Sequence, residues 1–428
     1  MQSGHIAREP REPREQSAGA RDAGAARGRR IRRVTAVAGA AAALIASSFI
    51  AGPAGADAPR PCALERTDAH HSEGVDTWNA AYPQPRRELR AVMVFLSFPD
   101  SRPRTTPADL AADHFPATSD FFARSSYGRF QLRAEPLKRW IEMPADSTSY
   151  EIQRDWEPDR RARYLRDAVD AVDPKVDFGD YDIVYFVADP DAPGVDSDAT
   201  KVVNFDRPLV ADGTRLRRIV TVFEQHPPDR NVLAHETGHV FDLPDLYHRP
   251  ADGKADWDTH VGDWDMMGSQ FGLAPDPFAW HKWRLGWITD AQVGCVNKTG
   301  TSTWSVQPLH APPLRGALRS TRLVVIRTGS DSALAVEVRA RGGNDAESCT
   351  EGVLVYRVRA RTASGEGPIE VVDAHPGSSA CQSTSVYPPL ADAPLGAGER
   401  LDLPEDGVTV SVTGRAPDGG WTLRVDRR

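Results

Sequence analysis

The first two thirds of the chain alternate between short apolar runs and stretches of helical periodicity. Residues 91–98 form a continuous apolar run, which is typical of a buried strand. Residues 107–124 and 159–172 place apolar side chains three or four positions apart, which predicts two amphipathic helices. Further apolar or alternating stretches predict strands at 130–140, 183–188 and 219–223.

The pattern changes from about residue 300, where short alternating or apolar runs recur between Gly, Pro and Asp, as in an all-β sandwich. The runs are Thr303–Val306, Arg322–Arg327, Leu334–Val338, Val353–Val358, Ile369–Val372, Val408–Val412 and Trp421–Val425. We therefore predict an α+β protein, with a mixed sheet and helices over residues 89–298 and a β-sandwich over residues 299–428. Residues 57–88 are polar and interrupted by proline, which predicts an extended lead-in.

The first 56 residues have the pattern of an export signal. Residues 1–33 are rich in arginine, residues 34–51 are apolar and rich in alanine, and Ala54-Gly55-Ala56 resembles a cleavage site. A membrane anchor is the alternative, because about 18 apolar residues almost span a bilayer. We predict a signal peptide over residues 1–56, cleaved near Ala56, and a secreted protein without a stable membrane anchor. The paired arginines leave the choice between the general and the twin-arginine export route open.

Net charge excludes one class of function. The 428 residues carry a formal net charge of −8, but the first 56 contain nine arginines and only four acidic residues. The remainder therefore carries −13. Because a protein that binds nucleic acid needs a positive surface to neutralise phosphates, the acidic body argues against that class.

Four cysteines follow the predicted signal peptide: Cys62, Cys295, Cys349 and Cys381. An even number in an exported protein predicts two disulfides, with three possible pairings. Cys349 and Cys381 lie in one region, so their pairing would leave Cys62 with Cys295. The alternative for Cys62 is a thiolate that caps a metal ion in a latent enzyme.

An acidic loop follows the predicted strand at 183–188. It contains Asp189, Asp191, Asp196 and Asp198. Oxygen-rich spacing of this kind can bind Ca²⁺, and a solvated acidic loop is the alternative.

The segment Val232–Asp245 contains the pattern His-Glu-x-x-His. On a helix, His235 and His239 share one face and can bind the same metal ion, while Glu236 can accept a proton from a metal-bound water. Two imidazoles and one further ligand suit Zn²⁺ and leave one coordination position open. Asp245 can be the third ligand if the helix ends soon after His239, which Pro244 favours.

This segment, His235-Glu-Thr-Gly-His239-Val-Phe-Asp-Leu-Pro-Asp245-Leu-Tyr247, resembles the active-site signature of the immune inhibitor A family (M6) of metzincin-like zinc peptidases. Other stretches resemble the same family in the same order, and the likeness covers most of residues 90–375. They are Phe98-Pro-Asp100, Ser126-Tyr-Gly128, Gly262-Asp-Trp-Asp-Met-Met267-Gly, Trp280-His-Lys-Trp-Arg-Leu-Gly286-Trp287, Glu337-Val-Arg339 and Gly352-Val-Leu-Val-Tyr356.

The resemblance implies a metzincin-like catalytic domain in which His235, His239 and Asp245 bind zinc and Glu236 is the general base. It also implies a Met-turn, an apolar floor under the metal, at Met267, with Met266 as the neighbouring alternative. One position departs from the family pattern. Asp242 stands where metzincins have a glycine, and Asp tolerates the left-handed backbone that such a turn needs. Asp242 could also replace Asp245 as the third ligand.

The resulting hypothesis is a secreted, monomeric zinc endopeptidase that acts on proteins or peptides through a metal-activated water. Two alternatives remain: an exported adhesion protein that uses the β-sandwich, and metal-dependent hydrolysis of a non-peptide bond. The candidates for stabilising an oxyanion are Tyr247, His248 and His260. Four tryptophans near the motif are expected to form core around the site: Trp264, Trp280, Trp283 and Trp287.

Overall fold

The computed structural model describes residues 62–428 except residues 251–253, 313–319 and 418. The predicted signal peptide and its cleavage site lie outside the described residues. Within the described part of the chain, no helix has both the length and the apolar character needed to cross a bilayer.

A five-stranded sheet forms the centre of the first half, in the order β2-β1-β3-β5-β4. Its strands are β1 (Glu88–Ser97), β2 (Gln131–Glu142), β3 (Ile183–Ala188), β4 (Lys201–Ala211) and β5 (Thr214–Val222). Four strands are parallel, and β4 is antiparallel to β5 at one edge. In β1, Met93 and Phe95 pack into one hydrophobic cluster, whereas Val92 and Val94 pack into another. Both faces of the sheet are therefore buried, which explains the continuous apolar run at 91–98.

Helices cover this sheet. They are α1 (Pro107–His114), α2 (Ala117–Ser125), α3 (Pro158–Val172), α4 (Val232–Val240) and α5 (Ala279–Arg284). The single helix predicted over residues 107–124 is wrong. The chain is extended at Phe115, because the residue before Pro116 avoids the helical region, and the helix is split there into α1 and α2.

The second half consists of two further sheets. Their strands are β6 (Val293–Val296), β7 (Gly300–Val306), β8 (Leu323–Arg327), β9 (Ser332–Arg339), β10 (Gly352–Arg359), β11 (Ile369–Val371), β12 (Arg400–Leu403), β13 (Val408–Arg415) and β14 (Trp421–Arg427). One sheet has the order β11-β10-β9-β8-β6 and the other β12-β13-β14-β7. The protein is therefore α+β, as predicted, whereas the division at residues 298 and 299 stays a prediction.

The five-stranded sheet of the second half is buried on both faces. On one face, Val336 of β9 shares a hydrophobic cluster with Val410 of β13 and Leu423 of β14. On the other face, Ala335 of β9 shares a cluster with Trp280 of α5. This sheet thus packs against the four-stranded sheet on one side and against the core around α5 on the other.

Two disulfides join distant parts of the chain. They link Cys62 to Cys295 and Cys349 to Cys381, which confirms the pairing favoured by sequence proximity. The alternative in which the Cys62 thiolate caps a metal ion is wrong, because its sulfur is bonded to that of Cys295 in β6. The lead-in has little regular structure over residues 62–87, yet residues 71–75 are buried.

Candidate metal centre and its buried surroundings

Two histidines one turn apart on α4 face the same point. The Nδ1 atom of His235 lies 2.8 Å from the carbonyl oxygen of Met266, and that of His239 lies 2.8 Å from the carbonyl oxygen of Leu243. Each Nδ1 therefore carries a proton that it donates to a carbonyl. In the neutral rings, this leaves the lone pair on each Nε2 free to bind a cation.

Asp245 joins the two histidines after a sharp turn. Helix α4 ends at Val240, and Asp242 has the left-handed backbone expected at this position, with φ 66°. The chain returns so that Oδ1 of Asp245 lies 3.4 Å from Nε2 of His235 and 3.0 Å from Nε2 of His239. Ser364, from the loop after β10, supports Asp245 by accepting its backbone N–H at 2.8 Å.

The chemistry of these three groups fits a cation. Oδ1 of Asp245 has no hydrogen-bond partner among the described residues, although two imidazoles lie close to it. Three electron-pair donors that converge without a proton between them repel each other unless a positive ion lies at their centre. In the described part of the chain, this is also the only group of three His, Cys, Asp or Glu side chains close enough to share one ion. Two imidazoles and a carboxylate suit Zn²⁺.

Electrostatic coupling within the group is strong. Burial lowers the pKa of His239, but the charge of the nearby Asp245 carboxylate outweighs this effect and raises the pKa to about 9. Burial raises the pKa of Asp245, and the nearby charge of His239 holds it well below its usual range. A proton and a metal ion therefore compete for the same lone pair on His239.

Glu236 lies beside the convergence point and is only 8% exposed. Its Oε2 atom has no hydrogen-bond partner within the described residues. Burial raises the pKa of Glu236. A carboxylate whose pKa is moved towards neutrality can both accept and return a proton, which is the property required of a general base.

Asp242 is not a metal ligand in this structure. Its carboxylate receives a hydrogen bond from Nδ1 of His71 at 2.7 Å and forms ion pairs with Arg66 at 2.6 Å and Arg284 at 2.9 Å. Burial raises the pKa of Asp242, but the His71 hydrogen bond and the Arg284 charge outweigh it and hold the pKa at about 2. Asp242 therefore binds the lead-in to the core.

A second buried contact from the lead-in reaches α5. His281 lies between Oε1 of Glu73 and Oδ2 of Asp265, at 2.9 Å from each, and all three side chains are fully buried. Burial lowers the pKa of His281, but the two carboxylates raise it to about 9, so the ring is positively charged at neutral pH. We call the buried ionic residues around the lead-in the clasp network: Arg66, His71, Glu73, Asp242, Asp265, His281 and Arg284.

The turn at residues 265–267, which we call the methionine turn, connects the clasp network to the candidate metal site. Asp265 has φ 116° and accepts the backbone N–H of Met267 at 2.8 Å. Met266 and Met267 are both fully buried. A Cβ atom on Gly238 would lie 2.4 Å from the sulfur of Met267, so glycine allows this turn to approach α4 closely. Both methionines contribute, since the Met266 carbonyl orients His235.

A cleft of about 570 Å³ opens above these groups. One wall is β4, the edge strand of the first sheet, which contributes Lys201, Val202 and Asn204. Another is the loop 268–271 after the methionine turn, and the lead-in contributes His70 and His71.

Of the three residues predicted as oxyanion stabilisers, only Tyr247 lines the cleft. Its ring stacks on that of His235, with centroids 6.3 Å apart. His248 and His260 instead pack against each other, with centroids 5.2 Å apart. The four tryptophans are buried as expected, each at most 4% exposed: Trp264, Trp280, Trp283 and Trp287.

The four aspartates predicted as a calcium site do not converge. Asp189 accepts a hydrogen bond from Ser101, Asp191 accepts the backbone N–H of Arg104, and Asp196 accepts that of Asp198. These carboxylates bind nearby protein donors separately. Calcium therefore stays a prediction that the geometry of the described residues does not favour.

Sequence reasoning missed the contribution of the lead-in, which supplies two cleft residues and three of the seven residues of the clasp network. One signal was available. An aspartate at a buried left-handed turn requires cationic or hydrogen-bonding partners, and Asp242 was the one departure from the family pattern. The sequence did not show that these partners are Arg66 and His71.

Comparisons with known proteins do not assign this chain to a family. No family model and no curated protein matches the chain. Among solved structures, it is similar to wild-type OgpA from Akkermansia muciniphila in two crystal forms. The identities are 11% and 10%, the TM-scores are 0.27 and 0.26, and 70% of this chain and 95% and 94% of those chains are covered. A similarity this distant has no bearing on activity.

Proposed function

We propose that this protein is a secreted zinc-dependent endopeptidase. The observation that carries the proposal is the convergence of His235, His239 and Asp245 on one point, with the buried carboxylate of Glu236 beside it. Four groups placed in this way supply a metal site with three protein ligands and a separate base.

Each residue has a defined role in hydrolysis. A bound Zn²⁺ supplies a Lewis acid that polarises the scissile carbonyl and lowers the pKa of water. Glu236 takes the proton of the attacking water at its free Oε2 and returns it to the leaving amine. The carbonyls of Met266 and Leu243 keep the proton on Nδ1 of each histidine, and thereby keep both Nε2 lone pairs directed at the site.

The walls of the cleft support a peptide as the substrate. Strand β4 is an edge strand within the described sheet and lies along the cleft. An edge strand offers backbone N–H and C=O groups to which an extended peptide can add as a further strand. Secretion is supported by the two disulfides, which are typical of oxidising compartments.

The decisive experiment combines a metal analysis with a change at Glu236. Purified protein should contain one zinc per chain and hydrolyse casein or gelatin, and a chelator should abolish this activity until zinc is added back. Glu236→Gln should keep the zinc but lose at least about 100-fold in rate, which is the lower range for general-base catalysis. The matched control is Glu405→Gln, an exposed turn residue, which should retain full activity.

Two outcomes would reject the proposal. If protein with stoichiometric zinc cleaves no member of a broad peptide library, it is not an endopeptidase. If the same preparation turns over esters but no peptides, the site hydrolyses another bond.

A further inference from the structure

One side of the cleft carries an excess of positive charge in an otherwise acidic protein. Lys201, Arg154 and Arg249 all line it. The two arginines share a single carboxylate, Asp155, at 3.5 Å and 3.3 Å. The cleft lining also contains Asp198, Asp258 and the two carboxylates of the candidate metal centre, Glu236 and Asp245.

These side chains form one group. Nζ of Lys201 donates a hydrogen bond to the backbone oxygen of Arg154. Burial lowers the pKa of Lys201, and the nearby charges of Arg161 in α3 and of Arg249 lower it further. The carboxylates of Glu236 and Asp155 act on this pKa in the opposite direction. We call this group the cationic rim: Arg154, Arg161, Lys201 and Arg249.

The cationic rim lies next to the proposed base. Lys201 directly precedes Val202, whose backbone interacts with the carboxylate of Glu236. Successive residues of a strand are about 3.3 Å apart, so a peptide added along β4 would have a side chain close to the rim within about two residues of the bond facing Glu236. The four cations of the rim stand against three carboxylates, those of Asp155, Asp198 and the proposed base Glu236. The remaining excess of one positive charge suits an anionic side chain.

We propose that the cationic rim selects substrates with an aspartate or glutamate within two residues of the scissile bond. The proposal rests on the proposed function and names its substrate class. Lys201 is the central specificity-determining residue because it is half-buried, whereas Arg154 and Arg249 are 55% and 57% exposed and more strongly screened by solvent.

The test uses zinc-loaded full-length protein and a set of fluorogenic peptides of one neutral parent sequence. Each position within three residues of the scissile bond carries Glu, Gln or Lys in turn. At one position we expect Glu to exceed Gln about 10-fold in kcat/KM, mainly through KM, and Lys to be the poorest. Because the rim is partly exposed, this preference should shrink as salt is raised from 0.05 to 0.5 M, concentrations across which the Debye length falls severalfold.

Variants assign the preference to the rim. Lys201→Met and Arg249→Gln should each lose most of the preference, measured within each variant as the ratio of kcat/KM for the Glu peptide to that for the Gln peptide, and Lys201→Arg should keep it. The matched control is Lys138→Met, an exposed lysine on β2 at the opposite edge of the same sheet, which should change nothing. Arg249→Gln keeps the test informative if Lys201→Met fails to fold.

A binding measurement separates this proposal from the proposed function. Zinc-loaded Glu236→Gln should bind the Glu peptide about 10-fold more tightly than the Gln peptide without cleaving either. If no peptide is cleaved, the proposed endopeptidase activity is rejected, and the binding measurement still tests the selectivity. Equal binding and cleavage of Glu and Gln peptides, or a preference unchanged in Lys201→Met and Arg249→Gln, would overturn the selectivity. A gain seen with phosphoserine but not with Glu would also overturn it, in favour of a phosphate group.

Discussion

Two buried clusters of ionisable side chains lie side by side in this protein and differ in one respect. In the clasp network, each carboxylate has a cation supplied by the chain: Asp242 has Arg66 and Arg284, and Glu73 has His281. In the candidate metal site, Asp245 faces two imidazoles, and in metal-free protein the positive charge on His239 depends on a proton that a metal ion would displace. The charges of the first cluster are balanced by side chains of the protein, whereas we propose that those of the second are balanced by a bound ion.

The same substitution at two aspartates, three residues apart, tests this difference. Asp242→Asn should lower the free energy of unfolding of metal-free protein by about 3 kcal/mol. This value is at the low end for the loss of a buried ion pair, because Arg284 still forms its ion pair with Glu73. Asp245→Asn should cost less, because its partner His239 can release its proton, whereas Arg66 and Arg284 cannot. Urea unfolding in the presence of chelator measures both.

Excess zinc should reverse the order in which Asp242→Asn and Asp245→Asn affect the free energy of unfolding. Wild-type protein and Asp242→Asn should both gain stability with excess zinc, by about 2.7 kcal/mol when free zinc is 100-fold above its dissociation constant. Asp245→Asn should gain far less. Equal costs of the two variants without metal, or equal gains with zinc, would show that the two clusters do not differ in the way described.

Alkaline pH should weaken the clasp network through His281. Its pKa is about 9 in the folded protein against 6.5 in the unfolded chain, so the stabilisation is complete below pH 6.5 and is lost as the pH rises through 9. A difference of this size corresponds to about 3 kcal/mol. Denaturant unfolding between pH 6.5 and 9.5 should show the decline in wild-type protein.

His281→Gln is the control for this titration. The variant should be less stable at neutral pH but lack the part of the pH dependence that belongs to His281. The difference between the two proteins separates His281 from His239, whose pKa is also about 9 without metal. Parallel pH profiles would mean that His281 carries no charge in the folded state.

Gly238→Ala should have the smallest effect and act mainly on the metal site. The added methyl group displaces the sulfur of Met267, at a cost of about 1–3 kcal/mol that the better helix propensity of alanine offsets by about 1 kcal/mol. The Met266 carbonyl that orients His235 should move with the turn, so zinc affinity falls. A competition titration with a chromophoric chelator measures this fall, and the double variant Gly238→Ala/Met267→Val should recover part of it. An unchanged zinc affinity in Gly238→Ala would show that the position of the methionine turn does not affect zinc binding.

The part of the site that sequence could predict is the part specified by local geometry. His235 and His239 share a helix face because of their spacing, and Asp245 follows on a turn enforced by Pro244. The clasp network could not be predicted, because Glu73 and His281 are 208 positions apart and neither has a local pattern that requires the other.

The fold shows the same limit. Strand β1 was visible because both of its faces are apolar, whereas β4 was missed. Pro208 interrupts the sequence of β4 and argues against a central strand, but an edge strand tolerates proline, and the pairing with β5 shifts between Asn204 and Leu209. Position at the edge of the sheet is a tertiary property, and it is what makes β4 available as a cleft wall.

The bond between Cys62 and Cys295 sets an order of events for a chain that emerges from its N-terminus. Residues 62–73 leave the ribosome early, yet their partners at Arg284, His281 and Cys295 are among the last of the first 300 residues to appear. The side chains around His235, His239 and Asp245 therefore cannot reach their final places while a shorter chain is being made. The proposed endopeptidase activity would be delayed until at least residue 295 has been added to the chain.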